Sequence, residues 1–457
     1  MKKSTCRWIL FSILFIVFVV CIFPFILGNI TKQKYMQRLA LVSSNTNFVK
    51  ITVVNYHRGW FSSEATLKVS IISRQSLPPT DLMIKQTIQH GPIFSIEGID
   101  HKKTLLIGQA LIESHVNSPL GQADIAVWVK PNGLLVGLLT SPELVYTLFL
   151  SNPSPLGQTA SRSLKMTGFS GIFKVSADMK RIVANGHMAQ LDVHDSQTQE
   201  KINQVDVSCD LQKSESGLFV GTQNYKIGSL QWQADSYPST LTLNGFEVKT
   251  YDEEKNNKMD SFFEIKLKKI MVDQTGYGPQ QLDLAIKQLD ISTLLLAKEQ
   301  LRVLQQRKEM VSFPEWIAAY RDIFLPLLGK GVTIQIKHLS LVTPWGSPRL
   351  QAEISLLPQQ NPDLLSVANN AMITAQLMLP AVFLTHIVER IEDLNNSPLS
   401  IDSDPALIQR KITAWVDKKW ILPKKEGYEM NVMYANKHMR INGEPFEESD
   451  AISHMLQ

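Results

Sequence analysis

The chain has 457 residues, with 46 Lys and Arg against 42 Asp and Glu and a formal net charge of +4. Lys2, Lys3 and Arg7 supply most of that excess, so the rest is near neutral and nucleic acid is not an expected partner. Of the three cysteines only Cys209 lies beyond residue 27, which excludes a disulfide within the remainder of the chain and leaves Cys209 as a small apolar side chain.

The first element in chain order is the uncharged stretch Trp8–Leu27. As a helix its 20 residues would reach roughly 30 Å, the thickness of a bilayer's hydrocarbon core. It is longer than the apolar region of a secretory signal and lacks an Ala-x-Ala-like cleavage site, so it reads as an uncleaved anchor. With Lys2, Lys3 and Arg7 on one side, the basic flanks favour a cytoplasmic N-terminus and an exported body. The expected division is a cytoplasmic tail (1–7), a transmembrane helix (8–27), a connector (28–50) and a body (51–457). Within the connector, Tyr35, Met36, Leu39 and Val42 recur at helical spacing over Ile30–Ser44.

The body begins in strand grammar. Leu67, Val69 and Ile71 alternate with Lys68 and Ser70, and Gly59 predicts a turn between two antiparallel strands. A second pair is expected over Leu82–Gln89 and Lys103–Glu113, and a third over Ile125–Val129 and Leu134–Leu139 across Pro131-Asn132-Gly133. Short runs continue through residues 165–290, divided by turn pairs such as Asn185-Gly186 and Asn244-Gly245; the polar segment Tyr251–Asp260 reads as a loop. Helices are predicted at Ser292–Glu309, with Ser292 as N-cap, at Ser312–Leu328, shortened by Pro326, at Pro380–Leu394, and after Asp404-Pro405. Glu429–Tyr434 and His438–Ile441 close the chain as a hairpin across Ala435-Asn436. The expected class is α+β: an N-terminal transmembrane helix, then a large, mainly antiparallel sheet body with several helices in its C-terminal half.

NYHRGWFSSEATLKV (55–69) resembles the opening motif of the YdgA/YihF-type family of bacterial proteins of unknown function, with Tyr56, Arg58, Gly59, Phe61 and Ser62 filling most of it. A Gly-x-x-x-Tyr-x-Ile-Gly-x-Leu stretch at 221–230 resembles its middle motif. YANKHMRINGEPF (434–446) resembles its closing one, with Lys437 where Gly is usual. The resemblance implies a single-pass protein of the bacterial inner membrane with its C-terminal body in the periplasm. It implies no reaction.

The candidate binding residues are Tyr56, His57, Arg58, Trp60 and His90: polar and aromatic groups beside two turns. The structural alternative is that they satisfy those turns' own backbone groups. Gly168-Phe169-Ser170-Gly171 is one residue short of a nucleophile elbow, and no HExxH or cysteine cluster occurs, so no catalytic residue, metal or cofactor is expected. Three roles stay open: a cell-envelope binding or scaffold protein holding a lipid or protein on a curved sheet, a subunit of a membrane complex or homodimer, and an enzyme without familiar motifs.

Overall fold

The computed structural model describes residues 23–45, 49–71, 80–97, 103–118, 121–153, 159–195, 198–234, 237–306, 313–360, 362–395 and 405–446. The chain divides into two compact units, Met1–Gln212 with Trp232–Pro238, and Lys213–Gln231 with Ser239–Gln457.

In the first unit, helix α1 (Phe23–Asn45) precedes strands β1 (Val49–Arg58), β2 (Ser62–Ile71), β3 (Thr80–His90), β4 (Ile93–Glu97), β5 (Lys103–Ile107), β6 (Ala110–Ser118), β7 (Gly121–Val129), β8 (Leu135–Pro153), β9 (Thr159–Val175), β10 (Arg181–His194) and β11 (Thr198–Lys213). Each strand pairs antiparallel with the next, from β1–β2 to β10–β11, except that β3 skips to β6. The intervening β4 and β5 form a separate two-stranded hairpin. The expected strand Lys103–Glu113 therefore breaks at Gly108. There the chain passes so close to β7 that only glycine fits: a Cβ would lie 2.3 Å from Trp128 Nε1 and 2.6 Å from the Val129 carbonyl.

The core of this unit forms where α1 lies on the sheet. Tyr35 joins Ala65, Leu67, Ile88, Ala110 and Val129, with Met36, Leu39, Ile51, Val53, Tyr56 and Leu135 packed around them. Ile88 and Ala110 are wholly buried on the face turned to the helix; Leu111, next to Ala110 on β6, is wholly buried on the opposite face.

The second unit continues with β12 (Phe219–Ala234), β13 (Tyr237–Lys255), β14 (Lys258–Val272), β15 (Thr275–Tyr277), β16 (Gln280–Asp290), α2 (Ile291–Gln306), α3 (Phe313–Leu328), β17 (Thr333–Leu341), β18 (Arg349–Leu356), α4 (Leu364–Asn369), β19 (Ala371–Pro380), α5 (Ala381–Asn395), α6 (Pro405–Asp417), β20 (Leu422–Lys424), β21 (Gly427–Ala435), β22 (His438–Ile441) and β23 (Glu444–Phe446). Antiparallel pairing runs β13–β14–β16–β17–β18–β19–β21–β22–β23. Helices pack on this sheet in three clusters: α5 and α6 through Leu384, Val388, Ile408 and Ile412, α2 with α3 through Ala297, Ile323 and Leu327, and α4 through Val367 against Leu356 and Ala371.

Several expectations are corrected. The α+β class with a transmembrane helix gives way to a structure dominated by antiparallel sheet, 63% strand against 21% helix. Among the described residues no helix is long and apolar enough to cross a membrane. Residues 8–22 of the expected span lie outside the described residues. Residues 23–27 belong to α1, which also carries Lys32, Lys34 and Arg38 and buries Leu27, Thr31 and Tyr35. The single-pass anchor, and the inner-membrane location with a periplasmic body that rested on it, therefore find no support among the described residues.

At shorter range, Asn185-Gly186 lies inside β10, paired with β9 and β11 on both sides, and makes no turn. The expected loop Tyr251–Asp260 is a hairpin end, with Tyr251 to Lys255 paired to Phe262 to Lys258 and Asn256 and Asn257 at positive φ. Asp290, not Ser292, receives the first turn of α2, through Thr293 N–H at 3.0 Å. α3 runs through Pro326 to Leu328. At the final hairpin, Lys437 itself adopts φ 65° beside Asn436 at 53°, so the left-handed turn persists without glycine.

Candidate functional site

The segment from Tyr56 to Phe61 is where β1 turns into β2. Gly59 N–H donates to the Ser62 carbonyl at 2.8 Å and closes that turn. Arg58, the last residue of β1, reaches α1: Nη2 donates to the Phe25 carbonyl at 2.7 Å and Nη1 to Asn29 Oδ1 at 2.5 Å. Its guanidinium also lies 4.2 Å from the centre of the Phe25 ring, and the Trp60 ring sits 4.8 Å from the same ring. Tyr56 packs one helical stretch further on, its ring 6.0 Å from Tyr35 and under Lys32 Nζ at 5.3 Å. His57, between Tyr56 and Arg58 on the strand, alternates to the opposite side and is exposed.

His90 ends β3 and is 5% exposed. Its Nε2 lies 3.0 Å from Ser63 Oγ and its Nδ1 3.4 Å from the Trp60 carbonyl. Gly28 of α1 crosses directly above the ring, where a Cβ would come within 2.6 Å of it. Burial pushes the His90 imidazole below its ordinary value and the nearby Arg58 charge acts the same way, against the bond to the Trp60 carbonyl. Further along α1, Tyr35 hydroxyl donates to Gln86, whose amide donates to Ser114 Oγ at 2.7 Å. Burial raises the Tyr35 phenol, so it stays protonated and keeps donating.

Arg58, Trp60 and His90 are therefore brought together against the described start of α1, Tyr56 beside them, and His57 away from them. Ser63 and His90 resemble a nucleophile and base only in distance. Both are buried under the helix, and a carbonyl, not a carboxylate, faces the second ring nitrogen. The arrangement holds α1 in place. Ser63, Gln86, Ser114 and Asn29 were not singled out by the sequence, because their partners lie 27 to 51 residues away and leave no local pattern.

A second feature follows from the register of β8 to β11. Four cross-strand rows stand on one face: Leu135, Val175, Ile182 and Leu211; Gly137, Phe173, Ala184 and Cys209; Leu139, Gly171, Gly186 and Val207; Ser141, Phe169, Met188 and Val205. The intervening rows carry Lys174, Asp210, Asn185, Ser208, His187 and Asp206 on the other face beside Val136, Leu138, Ile172 and Val183, and Arg181–Asp210 and His187–Asp206 pairs form there at 2.7 Å. The Phe173 ring fills the space over Gly137, where a Cβ would meet it at 2.0 Å. Pairing then skips Gly168 and Ala189, with Gly168 at φ 63° and Gln204 at φ 55°. The apolar alternation changes phase there without a shift of register, since one residue is passed over on each strand, and resumes with Leu144, Met166, Leu191 and Ile202.

α1 reaches this face only at its margin, through Leu135 and an Arg38 bond to the Gly133 carbonyl. None of the described core clusters takes in a residue of β9, β10 or β11. Phe169, Phe173, Ile182, Met188 and Val205 are half-buried and Val207 is 38% exposed. Among the described residues no group of three or more His, Cys, Asp or Glu could hold a metal ion.

No curated protein and no solved structure matches the chain. One family does, over residues 1–449, and its description is a bacterial protein of unknown function, DUF945. On that near-complete coverage, the chain belongs to the DUF945 family of bacterial proteins.

Proposed function

We propose that the chain is a non-enzymatic binding protein that holds a lipid-like apolar molecule on the face of β8 to β11 and, within its family, is of the YdgA/YihF type. The observation that carries the binding role is the four-strand apolar face, which no described core cluster covers with a helix, while Lys174 and the Arg181–Asp210 and His187–Asp206 ion pairs stand on the opposite face among Val136, Leu138, Ile172 and Val183. Each Å² of apolar surface left in water forgoes about 25 cal/mol of burial, so a face of this length favours an apolar occupant. Its rows extend along the strands past the phase change, which suits a long, narrow molecule better than a compact one. The tight polar cluster at Arg58 and His90 is already used within the protein, so the reading draws on no catalytic group.

The test is native mass spectrometry of the full chain with organic extraction of whatever co-purifies. A near-stoichiometric apolar small molecule is expected, and Val207→Lys should remove it while leaving the fold intact. Retention in that variant, or a chain that never carries such a molecule, would contradict the reading.

A second reading has its own observation. On the β4–β5 hairpin, Ile93 is 65%, Leu105 76% and Ile107 66% exposed, and register puts them on one side. Three adjoining exposed aliphatics fit a protein partner or a second copy of the chain. A lipid-free dimer that dissociates on Leu105→Lys would favour it.

A further inference from the structure

The second unit contains a concavity of about 730 Å³ on the polar side of β17, β18, β19, β21 and β22. Its floor is built from cross-strand rows in which Gln335, Glu353, Thr374 and Met433 are successive partners, and Gln351, Gln376 and Asn431 form the next row. Amides thus recur on four adjacent strands. Gln335 donates to one oxygen of Glu353 at 2.7 Å and Gln376 to one of Glu429 at 3.0 Å, which leaves the amide oxygens free to accept. Glu429 is paired with Lys424 at 3.1 Å, and Glu353 leaves a carboxylate on the floor, so anionic groups of a ligand belong at the two ends and hydroxyls over Glu353.

Two cations stand at the ends of this floor. Lys337 is an extra residue in β17, squeezed out where pairing with β16 and β18 shifts. Such bulges re-aim a side chain out of the regular ladder. Its Nζ lies 5.0 Å from the Phe262 ring and has no carboxylate partner among the described residues. Arg440, on β22, lines the other end, also without a described carboxylate partner. Four strand spacings separate β17 from β22, roughly 19 Å, too far for one small anion to touch both.

From this geometry we infer that the concavity binds an acidic oligosaccharide, with Lys337 and Arg440 taking its anionic groups and the amide rows taking its hydroxyls. An amide offers a donor and an acceptor together, which is what a sugar hydroxyl requires. The spacing of the cations requires a ligand that spans several strands and carries more than one charge.

The test is calorimetric titration of the full chain with hexameric oligogalacturonate, beside maltohexaose and inorganic phosphate. Oligogalacturonate should bind, maltohexaose more weakly, and phosphate should not compete it away at equal charge. Lys337→Gln and Arg440→Gln, both at exposed positions, should each weaken binding about tenfold, the scale of one lost charge-assisted contact. Gln351→Ala should weaken oligogalacturonate and maltohexaose alike. No binding of oligogalacturonate, equal binding of maltohexaose, full competition by phosphate, or indifference to both charge variants would overturn the inference.

Discussion

Arg58 makes three contacts with α1 at once: a backbone carbonyl, an amide oxygen and an aromatic ring. A lysine can reproduce the charge but not the planar fork that serves two acceptors. Arg58→Lys should therefore cost about 1–2 kcal/mol in urea unfolding, and amide exchange over residues 25–31 should accelerate more than elsewhere. His90 has the opposite electrostatic character, a buried imidazole kept neutral. Its folded value lies below the unfolded one, so above the ordinary histidine range both states are neutral and it contributes no pH dependence. As pH falls through the unfolded value, the unfolded chain takes up a proton first and stability declines until the folded value is passed. His90→Gln should flatten that decline between pH 7.5 and 5.5 in paired unfolding curves. An unchanged slope would show that His90 is not its source.

At the scale of elements, α1 is held by a few buried groups, and Tyr35 is the central one. Tyr35→Ala should destabilise the first unit by about 3–5 kcal/mol, since it leaves a cavity among Ala65, Leu67 and Ile88 and strands Gln86. Ile412→Ala should cost about 2–5 kcal/mol through the α5–α6 cluster. Thermal unfolding with probes in each unit measures both. The hairpins at Gly59, Pro131-Asn132-Gly133 and Ala435-Asn436 were legible in the sequence because turn residues flank alternating runs. Asn185-Gly186 misled because its turn preference is overridden by ladder hydrogen bonds on two sides. Tyr251 to Lys255 misled because a polar strand end looks like a loop until its cross-strand partners are known. The N-cap of α2 fell two residues earlier than composition suggested, since Asp290 is both the last residue of β16 and an acceptor for Thr293.

At the scale of the whole molecule, the sequence showed that alternating strands dominate but not which faces are left uncovered. That depends on register: a one-residue slip would put Phe173 and Val207 beside Lys174 and Asp206. The sequence singled out Tyr56, His57, Arg58, Trp60 and His90 beside two turns, but neither the separation of His57 from the other four nor their partners on α1 was legible, because a helix-to-strand contact leaves no spacing to read. Of the expected span Trp8–Leu27 only residues 23–27 are described, and they begin a helix that buries Leu27, Thr31 and Tyr35 and carries Lys32, Lys34 and Arg38, a sheet contact that hydropathy over the preceding window does not register.

Adjacent positions on β11 give the most direct measurement of the binding role, because Val207 and Ser208 point to opposite faces. A photoreactive phenylalanine analogue placed at either position in the full chain, irradiated in cells and followed by intact-mass analysis, reports what touches each face. The binding account predicts a small apolar adduct at 207 and none at 208. Equal labelling at both positions, or adducts at 208 alone, would contradict it.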